Sequence, residues 1–267
     1  MVSASALVDQ TPDSEILASV VDDMAHCPVP VRADLAEAHA LVLTRLAMPG
    51  EWWSGAERIA IAAQSRTVYS CNFCSERKAA LSPYAVDGTH KTDPIYDGVL
   101  PVEIIDILHL AMTDPTRMTA SAIARLSDAG LSDAHYVEAL GIGVALRSID
   151  QACRGLGVPL HQMPHPVPGE PRRIRPEVEP AGDAFVAMMP PRQPAPPNDD
   201  LWDENSIYYG LRAMSLVPDA VRDLRILSAA QYIPLDKASD FTHGRSLSRE
   251  QLELLAGRVS AINDCFY

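Results

Sequence analysis

Cys71 and Cys74 lie three residues apart in the stretch Ser70-Cys71-Asn72-Phe73-Cys74-Ser75-Glu76-Arg77-Lys78, and they are two of the chain's five cysteines. On a helix an i, i+3 pair shares one face, so the two sulfurs can meet. The sequence predicts Ser70 as an N-cap for a helix running from Cys71 to Leu81. That would put Cys71 in a first turn, where free N–H groups and the helix dipole favour a thiolate. A thiolate beside a second thiol can attack a peroxide or a disulfide and then be resolved into an internal disulfide.

The other readings of this pair are weaker. Structural zinc needs two further ligands, and none of Cys27, Cys153, Cys265 or the eight histidines pairs at zinc spacing. A thioredoxin-type site calls for a βαβ pattern, which is absent. Two cysteines can also pack as small apolar residues, but the polar neighbours Ser70, Asn72, Ser75, Glu76 and Arg77 put this turn partly in water. His90, sixteen residues after Cys74 in a loop, is either a proton relay or an ordinary solvent-facing side chain. His109 and His135 read as structural residues on helices, Cys153 as core and Cys27 as inert. No metal or cofactor is expected.

The elements that would position the pair are helical. Leu35, Ala38, Leu41, Val42 and Leu46 fall near helical spacing over 34–46, and Glu57 to Tyr69 is an Ala/Ile-rich buried helix. Residues 84–100, with Gly88, Pro94 and Gly98, form a loop. Pro101 opens a helix through Met112, a further helix spans 119–129, and Ser132-Asp133 caps a long one ending at Gly157. Residues 1–30 read as an acidic lead-in. Twelve of the 22 prolines fall within 159–197, a linker or extended surface wrap in which the apolar run 185–189 docks on the body. Helices follow over 207–216, 219–230 and from Ser248 to about Ile262. No segment alternates like a strand, so the fold class is all-α.

Composition narrows the partners. The formal net charge is -13 with no offsetting Lys/Arg cluster, which argues against nucleic acid and anionic membrane. No apolar run reaches the ~20 residues of a membrane span, and residues 1–13 do not form a signal peptide. A cytoplasmic location is expected, where five cysteines do not imply a disulfide framework.

The pair also has an internal echo. Glu57 heads the apolar run Arg58-Ile59-Ala60-Ile61-Ala62 and precedes Cys71 by 14 residues; Glu253 heads Leu254-Leu255-Ala256 and precedes Cys265 by 12. Taken as repeats, these divide the chain into a lead-in (1–30), a first helical repeat (31–160), a linker (161–200) and a second, incomplete repeat (201–267).

These stretches, with Gly130-Leu131-Ser132-Asp133 through Gly157-Val158-Pro159 and Arg258-Val259-Ser260-Ala261-Ile262-Asn263-Asp264-Cys265, resemble the alkylhydroperoxidase D-like and carboxymuconolactone decarboxylase superfamily. The resemblance is nearest to the alkylhydroperoxidase-related proteins, some of which are selenoproteins, and covers about 45–160 and 205–267. It implies an all-helical, often homo-oligomeric antioxidant peroxidase or disulfide reductase with two thiols, a glutamate and a histidine. Carried over, Cys71 and Cys74 match the two thiols and Glu57 approximates the glutamate. The histidine position falls on Lys78, a departure from the family pattern. In the second half Glu253 and Cys265 match at family spacing, whereas the second thiol and the histidine would be residues 268 and 272. That pattern carries the expectation that translation halts at a recoded selenocysteine codon after Tyr267.

The function expected is therefore a thiol-dependent oxidoreductase using Cys71 and Cys74 as a redox-active disulfide pair, with Glu57, Glu253 and Cys265 as further catalytic candidates. Its partners would be a peroxide or small disulfide and a thiol electron donor. The alternative is a non-catalytic helical scaffold retaining a relic CxxC.

Overall fold

The computed structural model describes residues 11–180, 182, 184–192, 194–202, 209–234, 237–263 and 265. Among these the fold is all-α, with ten helices and no strand. An isolated antiparallel bridge between Glu179 and Met188 is its nearest approach to a sheet.

The lead-in departs from expectation. Ser14–Met24 is helical (α1), because Asp13 accepts hydrogen bonds from the Glu15 and Ile16 amides and Val20 and Met24 bury against the next helix. That helix, α2 (Ala33–Ala47), leads through Trp53 into α3 (Gly55–Thr67). Ile59 to Ala63 on α3 are almost wholly shielded from solvent. The short α4 (Asn72–Ala79), α5 (Val102–Thr113) and α6 (Ala120–Asp128) follow. The 24-residue α7 (Asp133–Leu156) spans the molecule, with Ser132 and His135 forming its capping box and Gly157 closing it at φ 71°. Val144 on this helix is exposed.

Small residues let neighbours approach α7 closely. A Cβ on Gly143 would fall 3.0 Å from Met112 Sδ and 3.2 Å from Ser65 Oγ. One on Gly141 would fall 2.7 Å from the Cβ of Ala220.

Residues 159–197 wrap the body largely in extended form. Val167 donates to the Ala47 carbonyl and Arg172 to that of Gly50, and Val186, Met188 and Met189 are buried while Phe185 is exposed. The helix expected over 207–216 appears in its described part as α8 (Tyr209–Met214); residues 207 and 208 lie outside the described residues. In α9 (Pro218–Gln231), Leu227 joins the core built by α2, α3 and α7. Arg45 of α2 pairs there with Asp223 at 2.5 Å and Asp219 at 3.2 Å. The last helix, α10 (Arg249–Ile262), is capped by Ser248 and leaves Leu254, Leu255, Val259 and Ile262 exposed. Among the described residues no helix is long and apolar enough to cross a membrane.

Candidate functional site

The cysteine turn is built differently from its expected form. A 3-10 turn over Val68–Ser70 continues α3, and the Ser70 hydroxyl is engaged by the Thr67 carbonyl and Lys91 Nζ. Cys71, not Ser70, therefore occupies the N-cap of α4, and Cys74 sits at its third helical position. The helix stops at Ala79 rather than Leu81, where the Arg117 guanidinium donates to the Arg77 and Ala80 carbonyls. Both cysteines are buried although Ser70, Asn72 and the rest of the turn's polar rim face water, so polar neighbours were a poor guide to thiol exposure.

Cys71, Cys74, His90 and His109 bring their ligand-type atoms within 4.8 Å of one another. Both cysteines are free thiols. His90 arrives on the 84–100 loop and His109 on the buried face of α5. His90 Nδ1 lies 3.3 Å from Cys74 Sγ and 3.8 Å from Cys71 Sγ, and His109 Nδ1 lies 3.2 Å from Cys74 Sγ. His90 thus turns inward rather than to solvent, and the buried His109 also faces a sulfur. Neither histidine holds a regular spacing from the cysteines. The one local hint was a histidine flanked by Leu108 and Leu110 on a mostly apolar helix.

The protonation of the cluster follows from its outer partners. Burial lowers the His90 pKa, but the Asp106 carboxylate and the two sulfurs outweigh it and raise it to about 10. At neutral pH His90 is therefore an imidazolium, with Nδ1–H directed at the sulfurs. Burial raises the Cys71 pKa, but the Lys91 and Cys74 backbone N–H groups and His90 outweigh it and bring it down to about 7. His109 is neutral, its pKa lowered to about 3 by burial and by the neighbouring His90 charge. The Gln64 amide nitrogen donates to the Lys91 carbonyl at 2.7 Å and to His109 Nε2 at 2.6 Å. His109 therefore carries its proton on Nδ1, and that N–H donates to Cys74 Sγ. Cys74 Sγ thus meets two imidazole nitrogens, one from each histidine.

The same side chains are, by type, a Cys2His2 metal set, convergent where the sequence showed no zinc spacing. The His109 tautomer opposes that use. A metal on Nδ1 needs a bare Nδ1 and an N–H on Nε2, yet Nε2 faces an amide donor pinned by Lys91.

Cys74 and His90 also line a cleft with Arg77, Lys78, Arg117 and Arg125. Lys78 sits in this wall rather than on the sulfurs. Arg117 pairs with Asp114 at 3.1 Å, while Arg77, Lys78 and Arg125 have no ion-pair partner among the described residues.

The remaining candidates lie elsewhere. Glu57 closes the capping box of α3, accepting from the Ser54 amide and hydroxyl. From there the ten residues to Thr67 span about 15 Å of helix, so it does not reach the sulfurs. Glu253 pairs with Arg249 at 2.6 Å on α10. Cys265 is exposed beyond that helix and is not part of the Cys71–Cys74 cluster, and residues 264, 266 and 267 lie outside the described residues. No family model matches the chain, and neither a curated protein nor a solved structure does.

Proposed function

We propose that the protein is a thiol-dependent oxidoreductase of the alkylhydroperoxidase-like type, with Cys74, which lines the open cleft, as the attacking sulfur and Cys71 as the resolving one. The observation that carries this reading is the His90 imidazole lying against both sulfurs, with Asp106 on its far nitrogen. His90 and His109 do here what the family's histidine would do, which removes the objection raised by Lys78.

With a hydroperoxide, the Cys74 sulfur attacks the distal oxygen, an S–O bond forms and the O–O bond breaks. The departing alkoxide takes the His90 proton. Cys71 then attacks the sulfenic sulfur, hydroxide leaves as water after protonation, and an S–S bond joins the pair. An external dithiol returns two electrons by exchange. Arg77, Lys78 and Arg125, which have no ion-pair partner among the described residues, favour a substrate that carries a carboxylate or other anionic group.

The test is turnover of a carboxylate-bearing hydroperoxide and of a lipoyl disulfide by wild type, Cys71→Ser and Cys74→Ser, with thiols counted before and after. Loss of turnover in both variants is expected. Equal rates in all three would end this reading and leave the helical scaffold.

A further inference from the structure

A second cluster lies outside the redox centre. His39 of α2, Cys153 of α7 and His161 of the following loop bring three ligand-type atoms within 4.8 Å, and all three residues are almost completely buried. We propose that His39 Nδ1, Cys153 Sγ and His161 Nε2 hold a zinc ion, with a fourth position for water or a small ligand. This inference does not rest on the redox reading.

The spacing fits the ion. With Zn–N of about 2.0–2.1 Å and Zn–S of about 2.3 Å, tetrahedral geometry sets N–N edges near ~3.3 Å and N–S edges near ~3.6 Å. His39 Nδ1 lies 3.1 Å from His161 Nε2, and Cys153 Sγ lies 3.4 Å from that same nitrogen. A mixed N and S donor set suits zinc.

The outer partners leave the required lone pairs available. His161 Nδ1 is 2.7 Å from Asp23 Oδ2, so Nδ1 carries the proton and Nε2 faces the cluster bare, in a carboxylate–histidine–metal arrangement. His39 Nε2 is 3.0 Å from the Gln231 amide, whose other end meets the Ser148 hydroxyl at 2.6 Å. A hydroxyl donates or accepts. The amide can therefore turn its oxygen to a His39 Nε2–H and leave Nδ1 bare, the freedom that Gln64 lacks beside His109. The ligands are held firmly: Arg66 pairs with Asp150 of α7 at 2.7 Å and donates to the His161 carbonyl at 2.9 Å.

Charge favours the same occupant. A divalent ion, the Cys153 thiolate and the Asp23 carboxylate sum to zero. Binding must then expel the Cys153 proton.

The experiment uses the full chain carrying Cys71→Ser and Cys74→Ser, so that the redox centre contributes no thiolate. Cobalt(II) is added as the probe, and bound metal, thiolate-to-cobalt charge-transfer absorption and proton release are measured. One cobalt per chain is expected, with a tetrahedral spectrum, about one proton released per ion, and loss of the charge-transfer band on further Cys153→Ser substitution. Substoichiometric cobalt, no proton release, or a band that survives Cys153→Ser would each overturn the proposal and leave a hydrogen-bonded cluster only. Stoichiometry and proton release are read before Cys153 is touched, so they decide the matter even if that variant does not fold.

Discussion

The Asp106 carboxylate lies 3.2 Å from His90 Nε2, on the side of the ring away from the nitrogen that faces the sulfurs. It holds His90 charged, and His90 in turn helps hold Cys71 at about 7. The rate of Cys71 alkylation, followed by peptide mass, should therefore rise with pH through an inflection near 7. Asp106→Asn should move that inflection upward. An unmoved inflection would remove Asp106 from the chain of control.

Gln64 sets the His109 tautomer, and reversing its polarity should change what the cluster binds. In Gln64→Glu the carboxylate accepts from Nε2–H and leaves His109 Nδ1 bare beside Cys74. Groups that hydrogen-bond a metal's ligands shift metal affinity by about 10–100-fold, so zinc should bind the cluster at least about tenfold more tightly, read by chelator competition with Cys153→Ser present in both proteins. The same change removes a donor from Cys74 and should slow its alkylation. Unchanged zinc affinity would show that the amide does not govern the site.

The neutral His109 makes the fold sensitive to acid. Its folded pKa of about 3 lies below the unfolded value near 6.5. The stability it secures is thus fully present above about 6.5 and is lost as pH falls toward 3, on the order of 5 kcal/mol at most. Urea midpoints at pH 7 and pH 4.5 should differ less in His109→Gln than in wild type. A wider gap in the variant would contradict the assignment.

Arg58 and Glu138 form a buried ion pair joining α3 to α7, and Glu138 also accepts from the Trp52 amide at 2.6 Å. Glu138→Ala strands the guanidinium in the core. Breaking such a pair typically costs about 3–5 kcal/mol, and chemical denaturation should show a loss of that size. A change below about 1 kcal/mol would mean that water reaches Arg58.

The elements with strong local punctuation were legible in the sequence, and the cluster was not. Ser132 and Gly157 bracket α7 as their chemistry requires, and the Cys71–Cys74 spacing marked the turn that holds both sulfurs. Helix α1 was hidden in an acidic segment because it is only 11 residues long and is marked by little more than the Asp13 cap and the apolar residues Ile16, Leu17, Val20 and Met24. His90 and His109 join the cysteines from 16 and 35 residues beyond Cys74, by a loop and a separate helix. His39, Cys153 and His161 meet across α2, α7 and a loop. Such convergence is tertiary and leaves no local period to find.

Gly50 carries a final consequence. A Cβ there would fall 1.8 Å from Glu138 Oε1 and 2.3 Å from an Arg58 nitrogen, while its N–H and carbonyl are both engaged, by Trp53 and Arg172. Position 50 is a keyhole that the ion pair fills from the other side. In a scan of every substitution along the chain, this residue with no side chain should tolerate change as poorly as Glu138 itself.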